Sequence, residues 1–214
     1  MSELLPKGSK PIISHNQVLS MEENTENTLA EVELIGDREG SNMAGQDNFR
    51  LELTGDGSFT FFSPEFGETF HSHHGARQEA ELKFVEPTQL RVTAHKPIVR
   101  LLDVCYGLGY NTAAAIAAIW EVNPDCKVDW VGLELDQDVA KQAIAHDLLS
   151  QWPPPLPELL GELVENQVLQ TKNITARLLV GDARQTIEQV VASGFKADAI
   201  FLDPFSPPKC PQLW

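Results

Sequence analysis

The sequence predicts an α/β fold: a Rossmann-like, mostly parallel sheet preceded by a β-hairpin and a helix. Two observations predict it. From Pro97 onward, apolar runs of strand length alternate with stretches of helical periodicity, four strands deep. The first of those strands leads into "LLDVCYGLGYNT" (101–112), which ends in an acid and turns through two glycines into an alanine-rich stretch. That is the form of a strand-to-helix turn at which open α/β sheets meet their ligands.

The elements follow in order. Residues 1–46 read as a disordered tail, because segments such as "SMEENTENTLAEVE" offer too little apolar surface to offset chain entropy. Residues 47–96 read as an N-terminal hairpin and helix. "FRLELTGDGSFTFFS" places two β-rich runs around a Gly-Asp-Gly turn, and in "PEFGETFHSHHGARQEAELKFVEP" Ala76, Ala80, Leu82 and Phe84 mark a helix that stops before Pro87.

Residues 97–214 read as the Rossmann-like domain. "PIVRLLDVC", "KVDWVGLEL", "ITARLLVGD" and "ADAIFLD" are its strands, and "NTAAAIAAIWEV", "QDVAKQAIAHDLLSQ" and "RQTIEQVVAS" are the helices between them. Between the second helix and the third strand, the prolines of "WPPPLPELLGELVENQ" predict a stiff extended path, either a surface connection or a wall over a substrate cleft.

Composition limits the function. The 214 residues, 42% of them hydrophobic, suffice for one good-sized core. With 16 Lys and Arg against 31 Asp and Glu, the net charge is −15, opposite to the footprint of a protein that grips phosphate backbones unaided. A nucleic-acid substrate would have to meet a local patch or come with a partner. Cys105, Cys126 and Cys210 are far apart and form no CxxC, which argues against a disulfide framework and a cysteine zinc site. No apolar run approaches membrane-spanning length and no signal peptide is evident, so a cytoplasmic location is expected.

The residues after each strand are the candidate site. After the first come Asp103, Gly107, Gly109 and Asn111, where glycines allow close backbone approach and the helix start suits a ligand carboxylate. Glu134, at the end of the second strand, can accept both hydroxyls of a ribose. These features are common to nicotinamide and S-adenosylmethionine binders. Asp182, after the third strand, favours S-adenosylmethionine: it can accept from an adenine amino group while the adjacent backbone at Ala183 reads the ring edge, although it could also cap the following helix. In "FLDPFSPPK", Asp203 can orient an amine and take its proton, or fix the turn before Pro207, and Phe205 lies in a stiff apolar wall beside it.

The terminal residues carry a family resemblance. "DPFSPPKCPQLW" is similar to the D-x-F-x-P-x-K-N-P-x-x-W signature of the MnmC-type methyltransferases, the tRNA 5-methylaminomethyl-2-thiouridine biosynthesis proteins, and "FFSPEFGETFHSHHGARQEAELKF" resembles their N-terminal hairpin and helix. The resemblance implies a class I S-adenosylmethionine-dependent methyltransferase fold and methylation of an aminomethyl group on the wobble uridine of tRNA. It places Asp203 at the motif acid and makes Phe205, Lys209 and Trp214 further motif positions. It implies no FAD in this chain, with a separate FAD-dependent oxidase or a completing polypeptide as possible partner. Cys105 stands where the family usually has glycine, and Cys210 where it has asparagine. A full methyltransferase sheet has about three more strands after the fourth, so the sheet is expected to lack its last strands.

Other readings stay open at this point. A relative that methylates or aminopropylates a small amine would suit the acidic charge, and a non-catalytic cofactor-binding fragment is a third possibility. His71, His73 and His74 crowd together but lack the company of a metal site, so no metal is expected, and Cys105 reads as a small apolar group without a partner base.

Overall fold

The protein is described by a computed structural model over residues 49–214; the predicted tail lies outside the described residues. The hairpin forms where "GDG" predicts it, with β1 (Arg50–Leu53) antiparallel to β2 (Phe59–Ser63). Asp56, in the turn, accepts from Thr54, from the Ser58 N–H and from the Gln78 N–H, which pins the hairpin to the start of the next helix. A short third strand that the sequence did not reveal, β3 (Glu68–Thr69), pairs with β2.

Helix α1 (Ala76–Ala80) runs on into a π turn over Glu81–Val85 and stops ahead of Pro87. The wider π turn advances the inward face by one position. Val85 therefore joins Phe84 in the core, while Leu82, expected inside, lies two positions after Ala80 on the opposite side of the helix and is 51% exposed. A single turn, α2 (Leu90–Thr93), leads to the sheet.

The second half alternates as predicted. Strand β4 (Ile98–Val104) is followed by α3 (Tyr110–Val122), β5 (Lys127–Glu134) by α4 (Gln137–Ala145), β7 (Ile174–Val180) by α6 (Ala183–Ala192), and β8 (Ala199–Leu202) closes the series. The strand order is β6-β7-β5-β4-β8, where β6 is Val168–Gln170, and β7, β5, β4 and β8 run parallel.

The proline-rich segment corrects the sequence reading. It is not extended throughout: its second half is helix α5 (Leu156–Asn166), followed by β6 (Val168–Gln170), an antiparallel edge strand on β7. Proline forbids helix interior but not helix start, where its missing N–H has no intrahelical partner to lose. Past the prolines, Leu156, Leu160, Leu163 and Val164 form a buried stripe at helical spacing.

One face of the sheet carries the larger core, which gathers side chains from α1, α3, α4 and α5 together with Phe61 of the hairpin. The smaller core on the other face lies beneath α6, with Leu102, Val131, Leu133 and Val190 at its centre. This sandwich aligns the carboxyl ends of β4, β5, β7 and β8 along one edge.

Candidate active site

Those four strand ends border a cavity of about 760 Å³, whose walls include Cys105, Gly107, Glu134, Asp182, Asp203 and Phe205. The volume is in the range of small-molecule and cofactor sites. The hairpin layer supplies the opposite wall through Phe66, Glu68 and Phe70.

At the end of β4, Asp103 is fully buried; Thr112 donates its hydroxyl to Oδ2 at 2.6 Å, and Oδ1 has no partner. Burial raises its carboxyl to about 8, the Thr112 hydrogen bond opposes the rise, and the nearby Asp203 and Glu134 add to it. The turn that follows holds Cys105, Gly107 and Gly109 at positive φ. At Gly109 no side chain fits, because a Cβ would lie 2.5 Å from Tyr106 Oη. Gly109 thus shapes the turn and does not line the cavity.

Glu134 ties this turn to β5. Its Oε2 accepts from the Gly107 N–H at 2.7 Å and its Oε1 from the Asp136 N–H at 2.9 Å. Burial pushes its carboxyl up, against the pull of those backbone donors. Beyond β7, Asp182 caps α6 by accepting from the Arg184 N–H, and the Arg184 guanidinium also bonds both its oxygens. The capping role foreseen for Asp182 is therefore present, while Asp182 and Ala183 also line the cavity.

At the end of β8, Asp203 borders the cavity and accepts from Asn111 Nδ2 at 2.9 Å. Burial pushes its carboxyl up to about 6, and the Asn111 hydrogen bond holds it back. Asn111 itself is 3% exposed and does not border the cavity. Phe205 stacks on Phe66 at 4.2 Å between centroids and meets Phe70 edge-on at 4.9 Å. Trp214 donates its indole N–H to the Phe205 carbonyl. Lys209 sits outside the cavity wall, with its Nζ beside Gly67 and its charge near Glu68.

Sequence reasoning missed Phe66, Glu68 and Phe70. Their only signal was the aromatic density of "FTFFSPEFGETF", which reads equally well as hairpin core. The three histidines separate. His71 is buried, stacked on Tyr110 and within 3.2 Å of Thr60 Oγ1, and burial drives its ring down to about 4. His73 and His74 are exposed. Among the described residues no group of three or more potential ligands could hold a metal ion. Burial pushes the Cys105 thiol up to about 12, which leaves it protonated and a poor nucleophile.

Comparisons with known proteins bear on this geometry. A family described as S-adenosyl-L-methionine-dependent methyltransferase matches residues 140–214. The crystal structure of MNMC2 from Aquifex aeolicus superposes with a TM-score of 0.64 at 31% identity, covering 90% of this chain and 66% of that one. The bifunctional tRNA 5-methylaminomethyl-2-thiouridine biosynthesis protein MnmC of Ralstonia nicotianae is 30% identical over 170 residues, 72% of this chain and 24% of that protein. An uncharacterized protein of Methanocaldococcus jannaschii is 29% identical over 171 residues, 77% of this chain and 44% of that protein. The chain thus spans less than half the length of these two curated relatives.

The family match and the likeness to MNMC2, on this mostly parallel sheet, make the chain an S-adenosylmethionine-dependent methyltransferase with a Rossmann-like class I fold. Within that class, the chain is of the MnmC methyltransferase type. Among the described residues, no helix is long and apolar enough to cross a membrane.

Proposed function

We propose that this chain methylates the aminomethyl group of 5-aminomethyl-2-thiouridine at the wobble position of tRNA, in the cytoplasm, using S-adenosylmethionine and no FAD of its own. The observation that supports this most directly is Asp203: a carboxylate at the end of β8, pushed up by burial to about 6 and bordering the cavity beside the Phe205–Phe66 stack. The flat aromatic wall suits a pyrimidine ring. In this reading residues 97–214 hold the cofactor and residues 47–96 wall in the acceptor.

The donor set suits the cofactor. A sulfonium with an ammonium tail is cationic, and the carboxyl-bearing residues Glu134, Asp182 and Asp203 stand on the cavity wall. Glu134 would receive the ribose hydroxyls, Asp182 and the Ala183 backbone would meet the adenine, and the Gly107 turn, shaped by Gly109, would meet the methionine end. Bound there, the cofactor supplies an electrophilic methyl carbon. Asp203 aligns the neutral amine for in-line attack and takes the proton that must leave its nitrogen as the new bond forms. Phe205 supports the base, and Lys209 steadies the motif loop through Glu68. Such a chain would depend on an FAD-dependent oxidase partner to uncover the amine.

The net charge of −15 favours a second reading, with a small polyamine as acceptor. Assays with labelled S-adenosylmethionine, offering either tRNA bearing 5-aminomethyl-2-thiouridine or a small polyamine, separate the two. We expect methylation of the tRNA that Asp203→Asn abolishes while cofactor binding survives. Transfer to the polyamine alone, or to neither, overturns the proposal.

A further inference from the structure

We infer that Asn111 is a positioning residue for Asp203: its side-chain amide holds one carboxylate oxygen so that the other is presented to the acceptor amine. The inference rests on the reading of Asp203 as the group that receives the amine's proton. The sequence had suggested a cofactor contact for Asn111, and the structure gives its amide a different partner.

The geometry comes from the first turn of α3. Consecutive residues there secure two strand-end acids: Asn111 donates to Asp203 Oδ2 on the β8 side, and Thr112 donates to Asp103 Oδ2 at the end of β4. Both donors are almost fully buried, so neither bond competes with water. Among the described residues, Asn111 supplies the only side-chain bond to the Asp203 carboxylate, which meanwhile borders the cavity. Asn111 Oδ1 is buried without a partner, so the residue is retained there at a cost that its donated bond must offset.

A donor to the charged form favours that form. Around Asp203, Glu79 of α1 disfavours its ionisation and Lys83 of the π turn favours it, while Asp103 on β4, raised to about 8 in part by Asp203, is still protonated where Asp203 titrates. Cys105, after β4, stays neutral. Asn111 is thus the near neighbour whose hydrogen bond holds Asp203 in the anionic, proton-accepting state around neutral pH.

The test is a carbon-detected NMR titration of the ligand-free protein, with Asp203 assigned from Asp203→Asn. In Asn111→Ala the Asp203 midpoint is expected to rise by about 1 to 2 pH units, the effect of losing one hydrogen bond to a charged group. The acid limb of kcat should move with it, while the S-adenosylmethionine Kd changes less than about twofold. An unmoved midpoint in a folded variant, or a Kd that rises tenfold with the midpoint fixed, overturns the inference. Should Asn111→Ala fail to fold, the wild-type protein decides: the Asn111 side-chain amide resonance must titrate with the Asp203 midpoint, and a pH-independent resonance refutes it. A wild-type chain inactive on tRNA would remove the proposed substrate and leave this coupling measurable.

Discussion

Ser206 donates both its backbone N–H, at 3.1 Å, and its hydroxyl, at 2.5 Å, to the carboxylate of Glu68. These residues lie 138 positions apart in the chain. One sits on the short β3 of the hairpin layer, the other in the loop that follows Asp203. The bond joins two walls of the cavity and holds the Glu68 carboxyl below its usual range. Glu68→Ala should loosen the loop from Asp203 to Trp214 while sparing the strands proposed to meet the cofactor. The expected result is a roughly tenfold loss in kcat/KM for the acceptor with S-adenosylmethionine affinity unchanged, from initial rates and calorimetry.

Glu134 should matter to the cofactor instead. Its carboxylate organises Gly107 and Asp136 through backbone hydrogen bonds, and in the proposed complex it also receives the ribose. Glu134→Ala is expected to weaken S-adenosylmethionine binding by about 1–3 kcal/mol, the scale of a lost charged acceptor, measured by titration calorimetry. Binding equal to wild type would move the cofactor elsewhere in the cavity.

Asp103 makes stability depend on pH. Its folded carboxyl titrates near 8 and a free aspartate near 3.8, so the native state keeps a proton that the unfolded chain has released. Stability from this group is complete below about pH 4 and is lost as pH rises towards 8, with a limiting slope of about 1.4 kcal/mol per pH unit. His71, whose ring is held near 4, has the opposite sign, costing stability as pH falls from 6.5. Urea unfolding between pH 6.5 and 8 therefore isolates the acids. The wild-type chain should lose stability across that window, and Asp103→Asn should flatten most of the loss.

Leu160 tests the helix that replaces the predicted extended path. It is fully buried on α5, within the larger core. Leu160→Ala should destabilise the fold by about 2–5 kcal/mol through lost transfer energy and a residual cavity. Chemical denaturation checks this; a change under about 0.5 kcal/mol would be the behaviour of a surface connection.

Gly109→Ala should destabilise by about 1–3 kcal/mol, because φ there is +83° and the added Cβ meets Tyr106. Thermal unfolding measures it. Cofactor affinity should fall as well, since the turn that carries Gly107 must shift.

Local patterns settled the order of strands and helices from Pro97 onward and the acids at their ends, because strand and helix periodicities and a Gly-rich turn are written in neighbouring residues. Where the pattern was local and misleading, it failed: "WPPPLPELLGELVENQ" offered prolines first, and the Leu156–Leu160–Leu163 stripe behind them was outweighed until a core was present to receive it. The π turn brought Val85 inward for a reason no periodicity contains.

The sequence by itself determined which acids stand at the strand ends, Asp103, Glu134, Asp182 and Asp203, and through the terminal motif the type of methyltransferase. Only the tertiary structure decided how those acids are used: that Asn111 turns to Asp203, and that Glu68 and Phe66 reach Ser206 and Phe205. The physical reason is separation along the chain. A hydrogen bond or a ring stack between residues roughly a hundred positions apart has no local signature, and its partners are chosen by packing the hairpin layer and the sheet around a shared core.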